Sequence, residues 1–276
     1  MTGSRTYHQM FDLSGRRAVL TGGCGVLGPA FAEALAEMGA TVAILDIDGA
    51  RAEQNATDLA SLHGRTMLGV RCDVSEKDSV DFAVRRASDV LGGIDVLVSA
   101  AQASIADPQA YFSPFGEFTI DQWRARMAVD LDGMFLVAQA VGSQMVQQGV
   151  GGTMVLVGSI YGSMAPDQRI YEGAEFRGAP IGATAVYSAA KAGVAGLTRW
   201  LASWGADKGI RANTLVPGGV ESGQNATFVN RYAGRVPMAR MARREEVAAA
   251  MLWLASDASS YVTGQTIHVD GGLSAW

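Results

Sequence analysis

Seven short apolar segments alternate with helical patterns along the chain, and this alternation constrains the fold more than any other feature. The predicted strands cover residues 17–21, 41–46, 66–72, 94–99, 153–157, 210–216 and 266–269. Helices are predicted over 29–38, 51–62, from 75 onward, 119–148, 187–206 and 245–255. Continuous apolar strands between amphipathic helices indicate a parallel sheet that is covered on both faces. Right-handed crossovers then predict a doubly wound α/β fold with ligands at the carboxyl ends of its strands.

Several helix ends carry their own sequence signals. Pro29 suits a first helical position. Ser75 with Asp78, and Thr119 with Gln122, have the spacing of a capping box, although the first pair has Asp where Glu or Gln is usual. These pairs predict helices that begin just after Ser75 and Thr119.

Composition and charge narrow the classes of function. The chain has 276 residues, of which 49% are hydrophobic and 18% charged, and this favours one domain with an extensive core. A net charge of -5 and a pI near 5.2 argue against a nucleic-acid or anionic-membrane partner. Residues 1–13 lack the apolar stretch of a signal peptide, and no apolar run reaches the ~20 residues that cross a bilayer. Cys24 and Cys72 lack metal-type spacing, so we expect no metal site and reduced thiols in a cytoplasmic protein.

A glycine-rich turn follows the first predicted strand and precedes the first long helix. It reads Thr21-Gly22-Gly23-Cys24-Gly25-Val26-Leu27-Gly28. Glycines let the backbone approach a pyrophosphate, and the helix N-terminus adds free N–H groups at a positive dipole end. Such a turn alone is as often a plain tight turn, but its place between strand and helix predicts dinucleotide binding.

Acidic residues follow the second and third predicted strands. A carboxylate at Asp46 can bind the ribose hydroxyls of NAD and would repel the 2′-phosphate of NADP. No basic residue follows directly in Ile47-Asp48-Gly49, so the predicted cofactor is NAD. The alternative for Asp46 is a solvated loop acid or a helix cap. Asp73 is placed either to bond the adenine edge or to cap the helix that follows.

Tyr187 and Lys191 are four residues apart on a predicted helix and therefore share one face. A free tyrosine has a pKa near ~10 and supplies no phenolate at neutral pH. A nearby ammonium and the positive nicotinamide of an oxidised cofactor lower that pKa, so Tyr187 can accept an alcohol proton. Ser159 follows the fifth predicted strand, where its hydroxyl can hydrogen-bond the substrate oxygen. The alternative for Ser159 is an ordinary turn serine.

With these features the sequence resembles the short-chain dehydrogenase/reductase family over nearly its whole length. The resemblance is carried by the turn at 21–28, Asp46, Cys72-Asp73-Val74, Ser159, Tyr187 with Lys191, Pro217-Gly218-Gly219, and Gly264 with Asp270-Gly271-Gly272. It implies a Rossmann-type sheet of about seven parallel strands that binds NAD. It also implies that Tyr187 is the acid/base, that Ser159 holds the substrate oxygen and that Lys191 bonds the nicotinamide ribose.

The same resemblance implies a set of cofactor contacts and an assembly. The contacts are Gly22, Gly25, Leu27, Gly28, Asp46, Ile47, Asp73, Val74, Ala100, Ala101, Tyr187, Lys191, Pro217, Gly218 and Val220. Residues 217–220 are expected beside the nicotinamide. The assembly is a homodimer or homotetramer formed through the two long helices.

Three departures from the family pattern affect these expectations. Val26 replaces a usual glycine, and the preceding Gly25 creates a spacing that resembles the extended branch of the family. Residues 99–102 read Ser-Ala-Ala-Gln in place of Asn-Asn-Ala-Gly. Asp130 aligns with the asparagine that holds a proton-relay water in the family. It is therefore a candidate catalytic residue, with a purely structural role as the equal alternative.

Two segments are expected to border the substrate. Residues 160–186 form an insertion between Ser159 and Tyr187, and residues 221–242 form a lid. The candidate substrate contacts are Tyr161, Arg169, Tyr171 and Gln224. A polar lining of mixed charge would suit a sugar or a sugar acid, whereas a surface loop with solvated charges is the alternative.

Three functions fit the sequence. The leading interpretation is an NAD-dependent dehydrogenase whose partner is a small-molecule alcohol or carbonyl substrate. The extended-type turn suggests a nucleotide-sugar epimerase or dehydratase that recycles its cofactor. A dinucleotide-binding regulator without catalysis is the third interpretation, and the presence of Ser159, Tyr187 and Lys191 argues against it.

Overall fold

The computed structural model describes residues 5–276 and contains the predicted seven-stranded parallel sheet. The strands are β1 Arg17–Thr21, β2 Thr41–Asp46, β3 Met67–Arg71, β4 Val96–Ser99, β5 Gly152–Val157, β6 Glu175–Phe176, β7 Ala179–Pro180, β8 Ile210–Pro217 and β9 Thr266–Val269. The sheet has the order β3-β2-β1-β4-β5-β8-β9, whereas β6 and β7 form a separate antiparallel hairpin. The order reverses between β1 and β4, which is where doubly wound sheets bind ligands.

Helices cover both faces of this sheet. They are α1 Tyr7–Phe11, α2 Gly28–Glu37, α3 Gly49–His63, α4 Lys77–Leu91, α5 Pro108–Tyr111, α6 Ile120–Met127, α7 Gly133–Gln148, α8 Ala185–Gly205, α9 Ala226–Ala233 and α10 Arg244–Ala255. Helices α4, α7 and α8 pack on one face, and α2, α3 and α10 pack on the other. Within residues 5–276 no helix is long and apolar enough to cross a membrane.

The core forms two layers because successive strand residues point to opposite faces. In β1, Val19 belongs to the layer under α4, α7 and α8, whereas Ala18 and Leu20 belong to the layer under α2, α3 and α10. All three side chains are fully buried. This two-sided burial explains why the strands read as continuous apolar runs.

The two capping-box predictions have different outcomes. Thr119 and Gln122 form the predicted box at the start of α6. The box at Ser75 is wrong: α4 begins at Lys77, and the Ser75 hydroxyl donates to Asp73 Oδ1 at 2.6 Å. The N-cap residue is instead Glu76, whose side chain makes no capping bond.

The helix predicted over 119–148 is interrupted once. A π-helical turn at Ala128–Asp132 separates α6 from α7. Such turns are rare and occur frequently at functional sites. Asp130 lies inside this turn, facing the interior.

The insertion and the predicted lid lie together at the carboxyl edge of the sheet. Residues 160–186 contain the β6–β7 hairpin, and residues 221–242 contain α9. Arg231 on α9 donates to the main-chain oxygens of Arg169 and Glu172 in the insertion. The two segments are therefore joined directly. Of the predicted N-terminal extension, residues 1–4 lie outside the described part of the chain.

Candidate active site

The glycine-rich turn can adopt its conformation only because Gly22 and Gly28 lack side chains. Gly22 has a φ of +70°, and a Cβ there would lie 2.7 Å from the backbone of Ala101. A Cβ on Gly28 would lie 2.4 Å from the carbonyl carbon of Gly23. The backbone of this turn is therefore packed against itself and against the loop after β4, with its open side toward a cavity.

Asp46 ties the end of β2 to this turn. Its Oδ2 accepts a hydrogen bond from the Cys24 amide at 2.9 Å, and its Oδ1 accepts one from the Asp48 amide at 3.0 Å. Each oxygen retains a further lone pair for a ligand hydroxyl. The carboxylate is only partly buried and lines the cavity beside the turn.

This cavity has a volume of ≈ 530 Å³ and extends from the turn to the ends of β5 and β8. Twelve of the predicted cofactor contacts line it: Gly22, Gly25, Leu27, Gly28, Asp46, Ile47, Ala100, Tyr187, Lys191, Pro217, Gly218 and Val220. An open cavity beside a glycine turn, with a carboxylate at the ribose position, fits a dinucleotide. We refer to it below as the cofactor cavity.

Three predicted cofactor contacts do not line the cofactor cavity. The Oδ1 atom of Asp73 is engaged by the amide and hydroxyl of Ser75. Val74 is buried in the core, and Ala101 contributes the backbone behind Gly22. For Val74 and Ala101 the structure therefore indicates a packing role, and a contact between Asp73 and adenine stays a prediction.

The sequence interpretation missed one charged residue of the cofactor cavity. Arg51, in the first turn of α3, lines the cavity together with Asp46. Arg51 stands five residues after Asp46 in the sequence, and the first turn of α3 brings it back to the cavity.

Ser159, Tyr187 and Lys191 all line the cofactor cavity. Ser159 follows β5 and is 7% exposed, whereas Tyr187 lies in the first turn of α8. One turn later, Lys191 is almost fully buried and donates from Nζ to the carbonyl oxygen of Val157 at 3.2 Å. Its Nζ lies 5.9 Å from the centroid of the Tyr187 ring. The geometry thus places a hydroxyl, a phenol and an ammonium on one wall.

The surroundings of Tyr187 act on its pKa in both directions. Burial raises the pKa of Tyr187, and the neighbouring Ser159 side chain opposes that shift. The carboxylate of Asp130 raises this pKa further, whereas the guanidinium of Arg126 lowers it. Burial also lowers the pKa of Lys191, and Asp130 acts against that change. In the protein alone, the pKa of Tyr187 is thus raised. The sequence prediction was that this pKa is lowered when an oxidised cofactor is bound.

Asp130 is completely buried and both of its oxygens are engaged. Oδ1 accepts from the amide of Ala103 in the loop after β4 at 2.7 Å. Oδ2 accepts from Nε of Arg126 at 2.7 Å. Its side chain does not line the cofactor cavity. Both the relay role and the purely structural role of Asp130 stay predictions.

A second cavity of ≈ 340 Å³ adjoins the first. Its walls are mostly aromatic and apolar: Ile105, Tyr111, Phe112, Ile160, Tyr161, Tyr171, Ile181, Phe228, Tyr232 and Met241. Gln102, Ser159, Tyr187 and Gly218 line both cavities. We refer to this second space as the aromatic cavity.

Three of the four predicted substrate contacts line the aromatic cavity, namely Tyr161, Tyr171 and Gln224. The fourth, Arg169, does not line it, and its contact with a substrate stays a prediction. Its side chain is 81% exposed and pairs with Asp167 at 2.8 Å. The lining is not of mixed charge, because the nearby charged residues Glu172, Glu175 and Arg177 are exposed to solvent. These three charged side chains of the insertion are solvated, as the surface-loop alternative predicted.

Some polar groups of the aromatic cavity already have hydrogen-bond partners. The hydroxyls of Tyr161 and Tyr171 lie 3.0 Å apart, and the Tyr171 ring stacks on Phe228 with centroids at 5.2 Å. The Gln224 amide donates to Val220 O at 2.7 Å and accepts from the Ser222 amide at 2.8 Å. Besides Ser159 and Tyr187, the cavity is lined by Thr184, whose buried hydroxyl has no hydrogen-bond partner among residues 5–276 and is therefore free for a substrate. Within residues 5–276, no three His, Cys, Asp or Glu side chains form a metal-type group.

Comparisons with known proteins agree with this arrangement. A family model described as enoyl-(acyl carrier protein) reductase matches residues 25–274. The chain is 39% identical over 269 residues to cis-4-hydroxycyclohexanecarboxylate dehydrogenase of Sinomonas cyclohexanicum, covering 94% of this chain and 97% of that protein. It is 33% identical over 269 residues to D-threitol dehydrogenase of Mycolicibacterium smegmatis, covering 96% of this chain and 95% of that protein.

A solved structure adds a likeness in three dimensions. The gluconate 5-dehydrogenase of Burkholderia cenocepacia, in complex with NADP and tartrate, aligns with a TM-score of 0.84 and 32% sequence identity. The alignment covers 98% of this chain and 100% of that chain. The sheet, the cofactor cavity and the helix of Tyr187 all lie within the matched length.

Proposed function

The chain belongs to the short-chain dehydrogenase/reductase family of oxidoreductases, and we propose that it is an NAD(H)-dependent dehydrogenase that interconverts a secondary alcohol and its ketone. The shared wall of the two cavities carries this proposal. Ser159, Tyr187 and Gly218 line both the cofactor cavity and the aromatic cavity. An alcohol in the aromatic cavity therefore lies next to a proton acceptor and beside the cofactor.

The roles of the side chains follow from their positions on this wall. A bound nicotinamide cofactor supplies or accepts the hydride. Tyr187 takes the hydroxyl proton during oxidation and returns it during reduction, as a general base and acid. The Ser159 hydroxyl donates to the substrate oxygen and orients it. The buried ammonium of Lys191 favours the phenolate by its charge.

Asp46 supports the choice of NAD over NADP. Its carboxylate is held toward the cofactor cavity by two backbone amides, where it can accept from ribose hydroxyls and repel a 2′-phosphate. Arg51 lines the same region and has the opposite preference. We propose that Asp46 prevails because its position is fixed by those amides, whereas Arg51 is an exposed side chain.

Removing the Asp46 carboxylate should shift the cofactor preference. Asp46→Ala is expected to weaken NAD binding by about tenfold to a hundredfold, the loss of one hydrogen bond to a charged group. NADP should lose far less, because the repulsion disappears and Arg51 remains. Adding Arg51→Ala should then remove the relative gain of NADP. Titration of each cofactor against the variants measures these changes.

The matched control is Asp46→Asn, which keeps an acceptor for the turn amides but removes the charge. It should weaken NAD less than Asp46→Ala does. Equal losses of NAD and NADP in Asp46→Ala would exclude the ribose role, and would assign Asp46 to holding the turn alone.

The aromatic cavity favours a compact cyclic secondary alcohol. Cavities for small molecules typically measure ~300–1,000 Å³, so this one of ≈ 340 Å³ fits a small substrate. Its walls can pack against an apolar ring, and the hydroxyls of Tyr161 and Tyr171 and the amide of Gln224 are already engaged. A polyol with more hydroxyls than the remaining polar groups can bond would leave some of them without partners, and each unmet polar group costs binding energy.

A sugar or sugar acid is the second candidate substrate. The relatives named for D-threitol and gluconate act on open-chain hydroxylated compounds, and both cover nearly the whole chain. The relative named for cis-4-hydroxycyclohexanecarboxylate supports the cyclic class. The walls of the aromatic cavity decide our preference for the cyclic alcohol.

A substrate panel tests the proposed function. With NAD, cyclohexanols and cis-4-hydroxycyclohexanecarboxylate should show kcat/KM values about tenfold or more above those of threitol and gluconate, since ~1.4 kcal/mol corresponds to tenfold. Formation of reduced cofactor is followed by absorbance. A preference for polyols would overturn the substrate class. Product without net reduction of NAD would favour an epimerase or dehydratase, and binding without turnover a regulator.

Assembly, lid and location remain parts of the proposal. The resemblance implies a homodimer or homotetramer through the long helices, and α8 exposes Trp200 at 61%; a monomer in light scattering would contradict this. Residues 221–242 are proposed as a lid because α9 covers the aromatic cavity.

The two free, buried cysteines support a cytoplasmic location.

A further inference from the structure

A buried ion pair lies directly behind the candidate acid/base. Arg126, at the end of α6, is 5% exposed, and Asp130 in the π-helical turn is 0% exposed. Nε of Arg126 donates to Oδ2 of Asp130 at 2.7 Å, and the pair has the i, i+4 spacing of a helix. This pair differs from the surface salt bridges of the chain because both of its side chains are buried.

The guanidinium of Arg126 faces two tyrosine rings. Its central carbon lies 4.1 Å from the centroid of Tyr111 and 5.7 Å from the centroid of Tyr187. Lys191 Nζ lies 5.9 Å from the same Tyr187 centroid. Tyr187 therefore has two buried cations near its ring, one from α6 and one from its own helix.

This arrangement is costly for folding. Nη1 and Nη2 of Arg126 are buried and have no hydrogen-bond partner among residues 5–276. Buried ion pairs rarely stabilise a fold relative to apolar residues of similar size, because both charges lose their hydration. Stability alone gives no reason for a charged pair with an incompletely bonded guanidinium at this position.

We propose that Arg126 and Asp130 act as one positioning unit, in which Asp130 fixes the loop after β4 and Arg126 balances the charge of Asp130 toward Tyr187. The proposal rests on the proposed function of Tyr187 as acid/base. In the family pattern an uncharged asparagine occupies the place of Asp130. A carboxylate there would disfavour the phenolate, and the cation four residues earlier offsets that effect.

The charges around Tyr187 act in the directions that this unit requires. Asp130 raises the pKa of Tyr187 and Arg126 lowers it, and the two residues act on the pKa of Lys191 in the same two directions. The titratable or charged groups that face Tyr187 are Arg126, Asp130, Lys191, Tyr111, Tyr161 and Tyr171. Among them, Asp130 is the sole carboxylate and Arg126 its direct partner.

Loss of either partner should move the titration of Tyr187 in a definite direction. Arg126→Met leaves the carboxylate unbalanced, so the rise of kcat with pH in alcohol oxidation should move to higher pH. If the pKa of Tyr187 moves up by about one unit, kcat falls about tenfold at pH values below the rise. Asp130→Asn should move the rise to lower pH, and the double variant should return it close to that of the natural protein. KM for the alcohol should change little.

Ultraviolet difference titration of tyrosinate, each variant against the same variant with Tyr187→Phe, provides a readout that needs no turnover. It should show the same displacements as the rate profiles. Arg126→Lys should restore most of the position lost in Arg126→Met, because it returns a cation. If Arg126→Met does not fold, Asp130→Asn and the double variant still carry the comparison.

The results separate the possible failures. Titrations of Tyr187 that coincide in all folded variants would overturn the positioning unit, and would leave the pair with a structural role only. Loss of kcat by the same factor at every pH would do the same. An unmodified protein that oxidises no alcohol would contradict the proposed function instead, while the displacements of the tyrosinate titration would still decide the role of the pair.

Discussion

Tyr187→Phe is expected to lower kcat for alcohol oxidation by roughly a hundredfold to ten-thousandfold, the range that a general acid or base contributes. The change removes one hydroxyl and keeps the ring, whose centroid lies 5.7 Å from Arg126 Cζ and 5.9 Å from Lys191 Nζ. The hydroxyl proton then has no acceptor on the wall shared by the two cavities. Initial rates with NAD and the best alcohol of the panel, together with the affinity for NAD, measure the effect.

Two controls sharpen this result. NAD affinity should stay within a few-fold, because the cofactor cavity keeps its turn and Asp46. Tyr171→Phe removes a hydroxyl that bonds Tyr161 in the same aromatic cavity, yet it should reduce kcat far less. Retained activity in Tyr187→Phe, or an equal loss in Tyr171→Phe, would exclude Tyr187 as the acid/base.

The pH dependence of the reaction should also report the protonation state of Tyr187. Oxidation needs the phenolate of Tyr187, so its rate rises as pH passes through the pKa of this group. Burial raises that pKa in the protein alone, which moves the rise toward alkaline pH, and the Ser159 side chain and the guanidinium of Arg126 limit the displacement. Reduction needs the protonated phenol, so its rate should fall over the same range.

Most of the fold could be predicted because its signals are local. Each of the seven strands of the main sheet lies within two residues of its predicted limits, since two-sided burial imposes an apolar run on every strand. The order of strands then brings the residues after β5 and β8, and the start of α8, to one edge. Ser159, Tyr187 and Gly218 consequently meet at the junction of the two cavities, as the fold requires.

Side-chain directions in the irregular segments could not be predicted in this way. Residues 160–186 have no helical or strand period that assigns a face to each residue. Arg169 was expected in the pocket, but Asp167 lies two residues before it and holds its guanidinium at the surface. Local ion pairing thus determined its direction, whereas the apolar rings of Tyr161 and Tyr171 turned inward.

The pair behind Tyr187 illustrates a different gap. The i, i+4 spacing of Arg126 and Asp130 is visible in the sequence, but such pairs usually lie on solvated helix faces. Their burial depends on the packing of α6 against α8 and on the ring of Tyr111, which no local pattern specifies. Asp130 was recognised as a departure from the family, and its compensating partner became evident only in three dimensions.

Gly28→Ala is expected to disable cofactor binding and to destabilise the fold. A methyl group at Gly28 would lie 2.4 Å from the carbonyl carbon of Gly23 and 2.5 Å from the carbonyl oxygen of Gly22. Both neighbours are backbone atoms of the turn, so the turn itself must move. Overpacking of this kind costs about 1–3 kcal/mol of the free energy of unfolding. If two hydrogen bonds to the pyrophosphate are lost, at about 1.5 kcal/mol each, NAD affinity falls roughly a hundredfold.

Gly116→Ala provides the matched control for this change. Gly116 is exposed, and a methyl group there would meet no heavy atom within 4 Å. The free energy of unfolding of the Gly116→Ala variant should therefore stay within about 0.5 kcal/mol of that of the natural protein, and its NAD affinity should be unchanged. Denaturant unfolding and NAD titration of both variants separate loss of fold from loss of the turn. If Gly28→Ala bound NAD as well as Gly116→Ala does, the close packing of the turn would not be what shapes the pyrophosphate site.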